Sequence, residues 1–308
     1  MSLRSSMPGE VETPDSPNKY KYKHISLADI DHFVKTTHLV QMLLRKYIKC
    51  VLLIFFVFVL LISILNIKLV ILDCSSVNVF VSDILEDDEC LLERIRSMMI
   101  IPSEKPYNLT SNDLYFNPSQ GQSQAVLHYL RNQEQGFFVE AGAFDGEFSS
   151  NTLYMERALN WTGILIEPDP FNFSLLKQKQ RKSWLLPACL SPFKYPVKSK
   201  FIKDLLNSRL GELEDSITVQ CFPLTSILLA LNATQVDFLS LDVEGAEMGI
   251  LSNLNWNLLK IKSMTVEHRY IKEGTQALKD FMQTKGFMMM KRLRGRFVDD
   301  YIFINYLY

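Results

Sequence analysis

The sequence predicts an α/β domain with a mostly parallel, doubly wound sheet, preceded by one transmembrane helix. Three observations carry this reading. An uncharged apolar run lies near the N-terminus. After about residue 120, short apolar runs alternate with stretches of helical spacing. The first of those runs ends in a small, acidic, glycine-containing turn, where a strand should hand over to a helix.

From Cys50 to Ile67 the chain reads CVLLIFFVFVLLISILNI without a charge, and LVIL follows Lys68. About 20 apolar residues match a hydrocarbon core of about 30 Å. A core helix would show a polar face, and this run has none. A signal peptide would lie near residue 1, whereas 49 residues precede this run. Residues 49–72 are therefore read as a transmembrane helix, with Lys68 placed to snorkel. Arg45, Lys46 and Lys49 lie just before it. After Lys68 no Lys or Arg occurs until Arg94, and Asp83, Glu86, Asp87, Asp88 and Glu89 intervene. The positive-inside rule then puts the N-terminus in the cytoplasm and the C-terminal bulk in a lumen or outside. The sequons at Asn108, Asn160, Asn172 and Asn232 all follow the run.

Residues 1–48 read as a cytoplasmic tail, disordered over 1–24, where Ser, Pro, Lys and Glu show no apolar period. A helix is expected from Ser26, with Ser26 and Asp29 in capping-box spacing and Ile30, Phe33, Val34 and Thr37 on one face. Residues 73–119 read as an acidic lumenal stem, interrupted by Pro102, Pro106 and Pro118. The α/β domain is placed at 120–308. A helix should end at Gly136. Strands are expected over Phe137–Gly142, Gly163–Glu167, Trp184–Leu190, Val236–Val243 and Ile261–His268. Helices are expected over Ser149–Asn160 and Pro170–Lys182. Two late strands, Gly286–Arg292 and Phe297–Asn305, should form a hairpin and add one antiparallel strand to the sheet.

Composition bounds the function. There are 33 basic and 34 acidic side chains and a formal net charge of −1. No global basic field favours nucleic acid, so none is expected as a partner. The five cysteines form no C-x-x-C pair, which argues against a zinc ribbon or a thioredoxin-like motif. Apart from Cys50 in the apolar run, Cys74, Cys90, Cys189 and Cys221 suit two disulfides in an oxidising compartment. Free buried thiols are the alternative for Cys189 and Cys221.

Four motifs carry chemistry. Glu140-Ala141-Gly142-Ala143-Phe144-Asp145-Gly146 sits where the first strand turns into a helix, and ligands of doubly wound folds bind at such strand ends. Small residues let backbone approach a ligand. The acidic Glu140 and Asp145 disfavour a pyrophosphate and favour a cationic or hydroxyl-bearing ligand, which points to S-adenosylmethionine rather than a dinucleotide. Glu167-Pro168 ends the second strand, about 20 residues on, where an acidic side chain suits two ribose hydroxyls. Asp242-Val243-Glu244-Gly245-Ala246-Glu247 follows the fourth, and alternation puts Asp242 and Glu244 on one side. These two carboxylates suit metal binding, general-base work or capping of the next helix, and no metal ion is assigned to them. Glu267-His268-Arg269 ends the fifth, with His268 suited to a base near neutral pH or to a plain surface position.

FFVEAGAFDGE (137–147), LIEPDP (165–170), DFLSLDVEGAE (237–247) and VEH (266–268) resemble, in this order, the FkbM family of methyltransferases. The resemblance spans roughly residues 120–305. It implies a Rossmann-like class I S-adenosylmethionine-dependent methyltransferase fold and methylation of hydroxyl oxygens. It implies a cofactor site of Glu140, Gly142, Ala143, Asp145, Gly146, Glu167 and Pro168, with Asp242 and Glu244 near the methyl acceptor; Asp242, Glu244 or His268 is then the expected catalytic base. Family members often carry a lysine two places before Asp242, and Ser240 stands there in this chain.

SSNTLY (149–154) and LNWTGILIEPDP (159–170), together with the tail, span and lumenal domain, resemble the Star-like membrane proteins of animals. That resemblance implies secretory trafficking: export of cargo of the EGF-receptor ligand type from the endoplasmic reticulum, Golgi or endosome. The partners implied are the membrane, through one helix, and a lumenal or transmembrane protein cargo. The alternative is an active O-methyltransferase acting on a lumenal glycan, lipid or protein hydroxyl.

Overall fold

Between residues 27 and 74 the chain has neither glycine nor proline, so nothing interrupts a helix there. In the computed structural model, which describes residues 27–74, 78–202, 209–210, 216–295 and 298–307, that stretch is one helix, α1 (Leu27–Cys74). Over Lys35–Ser63 it is long and apolar enough to cross a membrane. Large apolar side chains are exposed along it from Leu39 to Ile62. The expected disordered tail, 1–24, and Ser26 of the expected capping pair lie outside the described residues. The chain forms two units, Met1–Val70 and Ile71–Tyr308.

The second unit runs through α2 (Glu89–Met98), α3 (Gln122–Tyr129), β1 (Phe137–Ala141), α4 (Leu153–Leu159), β2 (Thr162–Ile166) and α5 (Pro170–Gln178). Then come β3 (Trp184–Leu186), β4 (Cys189–Leu190), β5 (Val197–Ile202), β6 (Arg209–Leu210) and β7 (Ser216–Phe222). It closes with α6 (Leu224–Ala230), β8 (Gln235–Leu241), α7 (Glu247–Asn253), β9 (Lys260–Glu267), α8 (Thr275–Thr284), β10 (Phe287–Arg294) and β11 (Asp299–Asn305).

Seven strands form one sheet in the order β10-β11-β9-β8-β1-β2-β3. From β3 to β9 the neighbours are parallel. β11 is antiparallel to both β9 and β10, so it alone runs against the rest of that sheet. The expected hairpin and single antiparallel strand are thus present. The continuous apolar strands are buried on both faces, as a parallel sheet requires. Alternation sends Val139, Ala141, Leu239 and Met264 into one core, closed by Leu91 and Ile95 of α2 and by α6, α7 and α8. It sends Phe138, Leu165 and Phe238 into the other, closed by α3, α4 and α5. Each fully buried Leu or Phe contributes about 2 kcal/mol.

The structure departs from the expected elements in five places, one being α4, which begins at Leu153 rather than Ser149, with Ser149 at φ +56°. The run Trp184–Leu190 is not one strand: Pro187 has no N–H for a ladder, and β4 leaves for a second sheet of order β4-β7-β5-β6. That sheet is stapled by the Cys189–Cys221 disulfide. Helix α3 stops at Tyr129 rather than near Gly136, because Arg131, Asn132 and Gln135 adopt positive φ. Helix α5 stops at Gln178 rather than Lys182, with Gln180 at φ +56°. The segment expected as a stem is built into the second unit. Asp88 caps α2 through the N–H groups of Cys90 and Leu91, Cys74 is bonded to Cys90, and Ile100 bridges to Leu185 of β3.

Candidate functional site

Chain order reverses at β1. The crossovers lead to β2 and β3 on one side, while β8 and β9 lie on the other. Parallel strands that diverge in this way leave a crevice beyond their carboxyl ends. A cavity of about 210 Å³ lies there. Its wall comes from four strand ends: Glu140–Phe144 at β1, Ile166–Pro168 at β2, Ser240 with Asp242–Glu244 at β8, and Glu267 with Arg269 and Tyr270 at β9. Phe148 to Asn151 and Ala188 to Leu190 complete most of it.

Glu140 is buried, and its carboxylate accepts hydrogen bonds from the Ser150 hydroxyl (2.9 Å), the Asn151 N–H (2.6 Å) and the Thr152 hydroxyl (2.5 Å). Burial pushes its carboxyl up, against the pull of Arg181 and these donors. Glu140 therefore fixes the loop that follows β1. The same loop is held from behind by Arg181, which pairs with Glu156 at 3.1 Å, both fully buried. Arg181 also donates to the Gly146 carbonyl and to the Thr152 hydroxyl. Gly142 takes φ +85°, and a Cβ there would stand 2.1 Å from the Asp242 carbonyl oxygen. Its missing side chain thus serves the close approach of β1 and β8.

Glu167 is 4% exposed. Its Oε2 accepts the Phe144 N–H (2.8 Å) and its Oε1 the Asp169 N–H (2.9 Å). Burial nonetheless pushes its carboxyl up to about 7.

Asp242, Glu244 and Glu267 bring one carboxylate oxygen each within 4.8 Å of one another. Asp242 is accessible, but the surface it shows lines the cavity, with protein all round. Burial and the charges of Asp300, Glu244, Glu267 and Glu247 hold its carboxyl well above the ordinary carboxylate range. Burial, with Glu247, Glu244 and Asp300, pushes Glu267 up to about 8. Glu247 shapes the loop by accepting the N–H groups of Val243 (3.0 Å) and Gly245 (2.9 Å).

Of the residues singled out in the sequence, Glu140, Gly142, Ala143, Glu167, Pro168, Asp242 and Glu244 meet in this cavity. Asp145, Gly146 and His268 do not line it. Asp145 caps the N–H groups of Glu147 and Phe148 and faces Lys179 at 3.6 Å. Gly146 packs against Leu176. His268 stacks on Tyr301 with centroids 4.1 Å apart. Its Nε2 lies 3.1 Å from Asp299 Oδ1, yet without hydrogen-bond geometry. Distance without alignment makes a weak contact. Burial, helped by Arg292 and Lys279, holds His268 below the ordinary imidazole range. Glu267 and Arg269, in the fourth motif but without a role there, line the cavity too, as do Asn151 and Tyr270, which no motif singles out. Glu267 was legible, since it ends β9 as Asp242 follows β8.

Residues 140–289 match the family model described as the methyltransferase FkbM domain. A comparison with curated proteins found no match. Among solved structures the chain is similar to the precorrin-6y C5,15-methyltransferase of Geobacter metallireducens GS-15, at 16% identity over 63% of this chain and 92% of that one, TM-score 0.33. It is also similar to the human methyltransferase 10 domain containing protein, at 12% identity over 71% and 97%, TM-score 0.36. A third is the Burkholderia thailandensis 1,6-didemethyltoxoflavin-N1-methyltransferase with bound S-adenosylhomocysteine, at 11% over 61% and 76%, TM-score 0.32. Scores at this level add nothing to the strand order already described. That match over residues 140–289, to a methyltransferase FkbM domain, spans the strand ends around the cavity.

Proposed function

We propose that the cavity binds S-adenosylmethionine and that the domain methylates a hydroxyl oxygen. Glu167 carries this reading. An ionised carboxylate has about four acceptor positions, and the two backbone donors leave capacity on both oxygens for a vicinal diol. Asn151 Oδ1 is buried without a hydrogen-bond partner and lines the cavity, an acceptor held ready for a ligand N–H. Phe144, Phe148, Ala188 and Leu190 give an apolar bed for a purine. The carboxylates suit a cationic ligand better than a phosphate.

When bound, S-adenosylmethionine supplies a methyl group already activated on a sulfonium, so the chain's own work is mainly positioning. Glu140, Gly142 and Ala143 shape the floor, and Glu167 and Pro168 hold the ribose end. Asp242 and Glu244 stand on the acceptor side, where the Asp242 carboxyl, which holds its proton tightly, suits taking a hydroxyl proton once it is ionised. His268 acts on Asp299 of the cavity wall through its backbone N–H, which donates to the Asp299 carbonyl (3.2 Å), and Asp145 and Gly146 act through the loop after β1; all three are positioning residues.

A second reading is cargo capture in the secretory pathway, of the Star-like kind. Two disulfides in the second unit favour it, because such bonds persist in oxidising compartments. They support a single-pass chain with a cytoplasmic N-terminus and a lumenal domain, in the endoplasmic reticulum, Golgi or endosome. S-adenosylmethionine is made in the cytosol and would have to be imported there. Calorimetry of the full chain in detergent micelles separates the two. Micromolar binding of S-adenosylmethionine, weakened at least about tenfold by Glu167→Ala and less by Asp145→Ala, supports the enzyme. No binding by folded protein sinks it and leaves cargo capture, tested by cargo export in cells lacking the chain.

A further inference from the structure

We propose that the carboxylates of Asp242, Glu244 and Glu267 form a site for one hard divalent cation, of the Mg²⁺, Mn²⁺ or Ca²⁺ kind. The proposal stands apart from cofactor binding, because it rests on these three side chains alone.

The first support is geometric. One oxygen from each residue lies within 4.8 Å of the others. Two oxygens on opposite sides of a Ca²⁺ ion, each at about 2.4 Å, are about 4.8 Å apart, and those around Mg²⁺ are closer. Little movement is needed to close the three onto an ion. The backbone that carries them is fixed. Asp242 donates its N–H to Ala141 (3.2 Å), Glu247 pins the loop around Glu244, and Glu267 ends a central strand.

The second support is independent of clustering. Glu267 is 7% exposed, and its Oε2 has no hydrogen-bond partner, while its Oε1 accepts the Arg269 N–H (2.9 Å). A buried carboxylate oxygen without a donor asks for one, and this residue lines the cavity. Among the described residues, neither Asp242 nor Glu267 is ion-paired to a lysine or arginine. Arg269 also lines the cavity, but its side chain is exposed.

The donor set names the class of ion. Three oxygens with no nitrogen or sulfur select a hard cation over zinc or copper. Of the six or more positions such an ion takes, at least three stay open to the cavity, for water or an acceptor's oxygen.

The test is Mn²⁺ titration of the full chain in detergent micelles, stripped with chelator and free of S-adenosylmethionine, with free Mn²⁺ counted by electron paramagnetic resonance. One ion per chain with Kd of about 1 mM or tighter, displaced by Mg²⁺ or Ca²⁺, is expected. Glu267→Gln keeps the shape and removes a charge, so it should fold and weaken binding at least about tenfold. Asp242→Asn should do the same, and circular dichroism verifies both folds. No saturable binding to folded wild type, or equal binding in both variants, overturns the site.

Discussion

Glu167 must be nearly buried to face a ligand and ionised to accept from it, and these demands oppose each other. Its ordinary value is 4.5 and its folded value is about 7. The folded state therefore holds this proton more tightly than the unfolded state. The corresponding stability is fully present below about 4.5 and is lost as pH rises through about 7, roughly 3 kcal/mol in all. Urea unfolding at several pH values should show wild type losing that much more than Glu167→Gln across the window, and parallel profiles would refute it. Ligand affinity moves the other way. If the ionised form binds, Kd should tighten about tenfold from pH 6 to pH 8. Glu167 was legible in the sequence from its place after a short apolar strand. Gly142 was legible as a close approach, but not what it approaches: the Asp242 carbonyl lies just past the end of β8, 100 residues further along, and no local pattern reports that pairing.

At the scale of elements, the central strands could be read because they are short, continuous and apolar, which only burial on both faces explains. The second sheet could not. Val197–Ile202 reads VKSKFI, as polar as a loop, and finds its partners by pairing rather than by its own pattern. Helix α2 was hidden for a related reason: Leu91 and Ile95 make sense only against the distant α6. Arg181 is the sharpest case. In the sequence it is one more basic residue near the end of an expected helix. In the fold it is fully buried, paired with Glu156, and bonded to the loop after β1 that walls the cavity. Removing one member of such a pair strands a buried charge, at a cost of about 3–5 kcal/mol. Arg181→Met should lose that much in denaturant unfolding, and Arg181→Met with Glu156→Met should recover part of it. A single variant as stable as wild type would mean that the pair does not hold the loop.

Across the second unit, most carboxyls that favour their protons gather at the edge of the sheet where the parallel strands end; Glu86, beside Thr225 and Asn255, is raised elsewhere. Glu140, Glu167, Asp242, Glu247, Glu267 and Asp300 are all pushed up, chiefly by burial. Glu147, Asp237 and Asp299 are held down: against burial, Glu147 by Lys179 and Thr110 together and Asp237 by Lys262, Gln133 and the Phe137 N–H together, and Asp299 chiefly by Arg292. The two groups act in different pH windows. The lowered carboxyls lend stability above their ordinary range and lose it only as pH falls below about 4. The raised ones lend stability that is complete below about 4.5 and is lost as pH climbs through about 7 for Glu167 and about 8 for Glu267. Thermal unfolding of the metal-free chain should therefore give its highest Tm near pH 5 and a falling Tm from there to pH 8. A divalent cation bound by Asp242, Glu244 and Glu267 competes with those protons, so it should raise Tm little at pH 5 and most at pH 8. A metal-free profile that rises toward pH 8 would show that the strand-end carboxyls ionise without cost in the fold. A cation effect independent of pH would place the ion away from them.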